Sequence, residues 1–192
     1  MEKRFDTRKL TGLALLTAIV VVLQLLGGFI HFGPFSISLV LVPIVVGAAL
    51  YGPWAGAWLG FVFSFVVLLN DSGAFLTVNA PATILVVLVK GIAAGFCAGL
   101  VYKALEKVNG WLAVIAAAVV CPVVNTGLFV LGCELFFMPT ISGWAEAAGF
   151  PSAGNFLIYG MIGTNFLAEL AINILLSPVI VRLIRYRKKE SR

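Results

Sequence analysis

The sequence predicts an all-α integral membrane protein of six transmembrane helices, and three observations support that prediction. The chain has 192 residues, of which 61% are hydrophobic and only 11% charged, whereas roughly a quarter of the residues in a soluble domain are charged. Its mean hydropathy is +1.10. Long apolar runs alternate with short polar breaks, and a spanning helix needs about 20 mostly apolar residues. We therefore expect one membrane domain over residues 1–192.

The boundaries between the predicted spans have local causes. Tyr51-Gly52-Pro53 divides a long apolar run, because proline begins helices well and disfavours helix in the residue before it. Pro81 opens the fourth span for the same reason. The segments 70–80 and 138–155 are rich in small and polar residues and are predicted as loops. The approximate spans are 10–30, 35–50, 53–70, 81–105, 111–137 and 156–184.

The basic residues predict the orientation of these spans. Of the 13 Lys and Arg residues, all but one lie at the two ends of the chain or in the 103–109 connection. Cytoplasmic loops retain Lys and Arg, so both termini are predicted to be cytoplasmic. The loops at 31–36, 70–80 and 138–155 contain neither residue type and are predicted to face outside. Positive-inside retention and anionic lipid explain the net charge of +5 without a nucleic-acid partner.

Lys90 is the remaining basic residue and stands alone inside an apolar run. An ammonium in a membrane span is costly, and such groups commonly mark functional sites. At 1.5 Å per residue, Lys90 lies roughly 13 Å below the outer end of its span. Two interpretations stay open and are compatible: an ion pair with Glu169, or an anchor for an anionic or carbonyl-bearing substrate.

Polar residues on the fifth and sixth spans are the other intramembrane candidates. Asn165, Glu169 and Asn173 are spaced four apart and therefore share one helix face. Interhelical hydrogen bonding alone could account for such residues. A carboxylate beside two amides exceeds that need, so Asn165 and Glu169 are predicted to bind substrate. Asn125 is predicted either to bind substrate or to hydrogen-bond across the bundle.

The predicted outer loops supply further candidates, because loops carry binding residues and form lids. His31 lies in an aromatic-rich loop, Asn79 follows the third span, and Trp144 lies in the long loop before the sixth. Together these loops could close a pocket that opens outward. For His31, a position at the membrane interface is the simpler interpretation.

The sequence lacks the patterns of several enzyme classes. It contains no G-x-x-x-x-G-K-[ST], no H-E-x-x-H and no G-x-S-x-G. Its single histidine excludes a multi-histidine metal site, and its three cysteines lie in apolar runs without metal-type spacing. We therefore expect no enzyme activity, no metal and no cofactor.

Small residues recur at every fourth position on three spans. They are Ala14 and Ala18 on the first, Gly52, Gly56 and Gly60 on the third, and Gly91, Gly95 and Gly99 on the fourth. Such stripes let another helix approach closely. Packing within the bundle and docking of a partner protein are both possible uses.

Over its whole length the chain resembles the substrate-binding S components of energy-coupling-factor (ECF) vitamin transporters. The resemblance rests on the length, the six spans with both ends inside, and the sequence Ala14-Leu-Leu-Thr-Ala18. It also rests on the segment FSISLVLVPIVVGAALYGPWAGAWLG, which is similar to the family's second and third helices. By this resemblance, Ala14 and Ala18 would meet a transmembrane coupling subunit, and two cytoplasmic ATPases would complete the complex.

The resemblance implies high-affinity capture of a water-soluble vitamin or related micronutrient at the outer face of a prokaryotic cell membrane. Lys90, Asn125, Asn165 and Glu169 fall on the helices that would build the pocket. The sequence leaves the substrate open, with a pantothenate-like acid and a flavin as the two leading candidates. Two alternatives also stay open: a stand-alone carrier or channel, and a membrane scaffold without a small-molecule ligand.

Overall fold

The computed structural model describes residues 7–27, 31–32, 35–36 and 39–190, and almost all of this part is helical. The first three helices are α1 (Thr7–Gly27), α2 (Leu41–Tyr51) and α3 (Pro53–Asn70). They are followed by α4 (Gly73–Leu105), α5 (Gly110–Phe136), α6 (Met138–Ala147) and α7 (Ala153–Asn155). A π-helical segment (Phe156–Ile162) then continues into α8 (Gly163–Glu190). Two short antiparallel strands, β1 (His31–Phe32) and β2 (Phe35–Ser36), lie between α1 and α2.

Within the described residues, five helices are long and apolar enough to cross a membrane. The exception among the six predicted spans is α2, whose 11 residues extend only about 16 Å. This helix packs against α1, α3, α4, α5 and α8. An apolar helix surrounded in this way needs no polar face. Residues 28–30, where the first span was predicted to end, lie outside the described residues. The second span was predicted to begin at residue 35, but Phe35–Ser36 forms β2 and α2 begins at Leu41.

Two segments predicted as loops are largely helical. In the 70–80 segment, α4 begins at Gly73, and its kink comes at Asn79, whose backbone is non-helical. In the 138–155 segment, α6 covers ten residues and buries Ile141 and Ala145. The loop prediction was wrong because it relied on the composition of these segments, whereas their structure depends on tertiary packing. Phe75 and Ile141 both belong to a buried apolar cluster that holds these helical turns in place.

The turn between α2 and α3 follows the prediction from Tyr51-Gly52-Pro53. α2 ends at Tyr51 and α3 begins at Pro53. Gly52 has φ 96°, a backbone conformation that glycine adopts without the steric penalty of a Cβ. The turn therefore needs both residues: the glycine for its backbone and the proline to begin the next helix.

The glycine stripes of α3 and α4 face each other. A Cβ added at Gly56 would collide with the carbonyl oxygen of Gly95, and one added at Gly60 with that of Gly91. The helices are close enough for the Ser64 hydroxyl to donate to the Val87 carbonyl at 2.7 Å. Gly56, Gly60, Gly91 and Gly95 therefore pack the bundle internally, which is one of the two uses that the sequence left open. Gly52 does not share this role, because it lies in the turn before α3 and a Cβ added there meets nothing within 4 Å.

Candidate functional site

A cavity of about 110 Å³ lies at one end of the bundle. Since a single water needs roughly 10–15 Å³ on the same measure, the cavity has room for several waters or a small organic molecule. Its wall includes Phe63 and Val67 from the large central apolar cluster and Phe75, Phe137 and Met161 from a second cluster. The site thus occupies the space between two separately packed cores.

Four of the residues predicted to bind substrate line this cavity: Lys90 on α4, Asn125 on α5, and Asn165 and Glu169 on α8. The bundle brings them together from three helices. The four-residue spacing on α8 places Asn165 and Glu169 on one buried face, and Asn173 and Ser177 continue that face beyond the cavity. The spacing of Asn165, Glu169 and Asn173 predicted this shared face.

Lys90 lies beside an aromatic ring and shares the cavity with two carboxylates. Its Nζ lies 4.9 Å from the centroid of the Phe129 ring, a distance suited to a cation–π interaction. The carboxylates of Glu169 and Asp71 line the same cavity. Both interpretations of Lys90 from the sequence remain compatible with this arrangement.

Three lining amides have a buried carbonyl oxygen that no donor among the described residues reaches: Gln24, Asn125 and Asn165. A buried polar atom without a partner costs about 1–3 kcal/mol. Three such atoms around one cavity therefore mark it as a place where a bound molecule can supply the missing hydrogen bonds. Asn173 has a fourth orphaned oxygen, but this residue does not line the cavity.

Gln24 and Asp71 are lining residues that were not among the predicted site residues. The Gln24 Nε2 donates to Asp71 Oδ2 at 2.7 Å. Gln24 is only 2% exposed, although it lies on α1, a helix with just three buried residues. The sequence signal for Gln24 is that it is a single amide near the end of an apolar span. A polar side chain inside a membrane span is costly, which is the reason that Lys90 was chosen as a candidate.

Aromatic side chains form much of the remaining wall. Phe63, Phe75, Phe129, Phe137 and Phe166 all line the cavity. Phe75 packs edge-on against Phe137 with ring centroids 5.0 Å apart, and against Phe129 at 5.9 Å. Such edge-to-face packing favours fixed ring positions. The lining of the cavity therefore combines packed aromatic rings with polar side chains.

The π-helical segment contributes Met161 and Ile162 to the cavity. π-Helical turns are rare and occur often at functional sites. Gly160 and Gly163 lie in or directly after this segment. The sequence predicts an ordinary helix from residue 156 onward and contains no signal for this change in winding.

The three predicted loop residues have other surroundings. Asn79 is exposed and accepts a hydrogen bond from the Ala82 backbone N–H at 3.2 Å, so it caps the helix that follows the kink. Trp144 does not line the cavity but packs edge-on against Phe75, with centroids 5.3 Å apart. His31 belongs to β1, and its side chain lies outside the described part of the structure.

Ala14 and Ala18 are both exposed on α1. Unlike the glycine stripes, this pair is not covered by another helix among the described residues.

Among the described residues, no group of three or more His, Cys, Asp or Glu residues could hold a metal ion. The cavity therefore contains the main concentration of polar groups that the helices bury.

The sequence matches one family model over nearly its whole length. That model is described as ECF transporter, substrate-specific component, and it covers residues 8–181. No individually curated protein matches significantly. The matched region includes α1 from Arg8 onward, α2 to α5 and every residue that lines the cavity. The chain therefore belongs to the family of substrate-specific components of ECF transporters.

Proposed function

We propose that this chain is the high-affinity capture subunit of an ATP-driven importer for a water-soluble vitamin or related micronutrient. Membership of the substrate-specific component family makes it a transport subunit of a multi-pass membrane protein complex. The observation that carries the finer proposal is the cavity, in which Lys90, Asn125, Asn165 and Glu169 line one space. Burying these groups is costly, and a role in substrate binding would explain why the chain contains them.

The orientation in the membrane is part of the proposal. Positive-inside retention places both termini and the connection after α4 in the cytoplasm of a prokaryotic cell. The cavity lies towards the opposite end of the bundle, where α1 and α3 end and α4 begins. The substrate would therefore enter from outside.

The partners in the proposal are a transmembrane coupling subunit and two cytoplasmic ATPases. The exposed Ala14 and Ala18 of α1 are the proposed contact with the coupling subunit, because a small-residue stripe allows close helix approach. The ATPases would supply the energy that drives release of the captured molecule into the cell. Pantothenate-like acids and flavins are the substrate candidates that the sequence raised.

The test is uptake into proteoliposomes that contain the chain with or without a coupling module and ATP inside. Before reconstitution, small molecules released by denaturing the purified chain are identified by mass spectrometry. A stoichiometric vitamin together with module-dependent uptake would support the proposal. Uptake without the module would indicate a stand-alone carrier, and an empty chain that binds no vitamin would indicate a scaffold.

A further inference from the structure

We infer that the cavity selects a planar, donor-rich molecule that is neutral or cationic, and that it disfavours carboxylic acids. This inference rests on the proposed function and names the substrate class of the same site. It is carried by the charges that line the cavity, by the orphaned oxygens and by the aromatic wall.

The charged lining is negative overall. Among the described lining residues, Lys90 is the cation, whereas Asp71 and Glu169 both carry carboxylates. Both carboxylates line the same cavity as Lys90, and the Lys90 Nζ lies over the face of Phe129. Its ammonium therefore does not need an anionic substrate for charge compensation. A substrate carboxylate that approached Lys90 would also meet Asp71 and Glu169, and like charges in contact oppose binding.

The unpaired hydrogen-bonding groups of the lining also favour a donor-rich substrate over a carboxylate. The oxygens without partners on Gln24, Asn125 and Asn165 are all acceptors. The orientation of Gln24 follows from its partner: a carboxylate only accepts, so the amide nitrogen must face Asp71, and the carbonyl oxygen is left over. A substrate with N–H or O–H groups supplies what these residues lack. A carboxylate would supply no donor.

The shape of the wall favours a ring. Five phenylalanines line the cavity, and Phe75 is fixed edge-on between Phe129 and Phe137. Aromatic faces and edges pack well against a flat ligand. In such a ligand, a ring carbonyl can accept from Lys90 while ring or chain donors reach the amide oxygens. Of the two candidates from the sequence, this geometry favours a flavin-like ring system over a pantothenate-like acid.

The test is isothermal titration calorimetry of the purified full chain with four probes. Riboflavin has a planar, neutral ring system, thiamin is a cation with two flat rings joined by a methylene group, nicotinate is planar and anionic, and pantothenate is non-planar and anionic. We expect riboflavin or thiamin to bind at least about tenfold more tightly than either acid. Tightest binding of nicotinate or pantothenate would overturn the inference but leave the proposed function intact.

Charge-neutral variants make the test specific to the lining. Glu169→Gln and Asp71→Asn each remove one carboxylate. We expect each variant to have a smaller difference in affinity between the two non-acidic probes and the two acids. Glu134→Gln is the matched control, because Glu134 is exposed and does not line the cavity. An unchanged preference in both lining variants would contradict the inference. Failure of every probe to bind, together with no small molecule released from the chain, would instead overturn the proposed function.

Discussion

Gln24 and Asp71 join α1 to the junction of α3 and α4 through a hydrogen bond of 2.7 Å. Val20, Gln24 and Gly27 are the buried residues of α1 in the described range Thr7–Gly27. A second hydrogen bond links this helix to α3, because the Trp58 indole N–H donates to the Thr17 hydroxyl at 3.2 Å. The same helix exposes Ala14 and Ala18. One helix thus contacts the cavity near its end and presents the proposed docking face nearer its start.

Replacing Gln24 with Leu should destabilise the chain. The substitution keeps a similar volume but removes the donor to Asp71, and a hydrogen bond to a charged group contributes about 1.5–3 kcal/mol. Thermal unfolding in detergent measures the change. Thr77→Ala is the control, because it removes an exposed hydrogen bond to the Ala74 carbonyl within one helix. Equal melting temperatures for the two variants would show that the Gln24–Asp71 contact does not hold α1.

Replacing Lys90 with Met should abolish substrate binding and leave the bundle folded. The thioether side chain fills similar space beside Phe129 but cannot donate to a substrate carbonyl. We expect an affinity loss of about hundredfold or more, measured by calorimetry with the ligand identified by mass spectrometry. Lys103→Met is the matched control at the exposed far end of α4. Unchanged affinity in Lys90→Met would reject a role for Lys90 in binding.

Asn165 and Asn173 form a matched pair on α8, each four residues from Glu169 and each buried. Asn165 lines the cavity, whereas Asn173 donates from Nδ2 to the Glu169 carbonyl at 2.9 Å. Asn165→Leu should therefore weaken substrate binding by about tenfold, the cost of roughly one hydrogen bond. Asn173→Leu should leave affinity unchanged. Equal losses of affinity in the two variants would contradict the prediction that Asn165 contacts the substrate and Asn173 does not.

The sequence predicted two features of this site: the charged residues that are costly to place in apolar spans, and the side chains that share a helix face through four-residue spacing. Lys90 and Glu169 are conspicuous in apolar spans, and the four-residue spacing fixes Asn165 and Glu169 on one face. Gln24 was missed because one uncharged amide at a span end carries a weak signal, and its partner Asp71 is distant in the sequence. That pairing depends on how α1 packs against α3.

The misassigned loops have a related explanation. Gly73 and Asn79 favour turns in isolation, and the 138–155 segment is rich in small residues. Tertiary packing overrides such local preferences: Phe75 and Ile141 are buried in the second apolar cluster. The four-residue spacing of Ile141 and Ala145, together with Pro139 in the first turn, was an available signal for α6.

A single methyl group in the glycine stripe should destabilise the bundle. In Gly60→Ala the added Cβ meets the Gly91 carbonyl oxygen, so the backbones of α3 and α4 must separate. We expect a loss of about 1–3 kcal/mol in the free energy of unfolding. Gly127→Ala on α5 is the control, because a Cβ there meets nothing within 4 Å. The control should be neutral or slightly stabilising, since alanine favours helix over glycine. Equal stability of the two variants would contradict close α3–α4 packing.

A bulky residue on the exposed face of α1 should separate capture from transport. Ala14→Trp adds a large side chain to the proposed docking face but lies outside the cavity lining. We expect substrate affinity to stay unchanged, while co-purification with the coupling subunit and uptake into proteoliposomes are lost. Leu175→Trp is the control, because Leu175 is 75% exposed on α8 and lies away from α1 in the sequence. If Ala14→Trp assembles normally and Leu175→Trp does not, the coupling subunit docks on α8, and the exposed alanines of α1 face lipid.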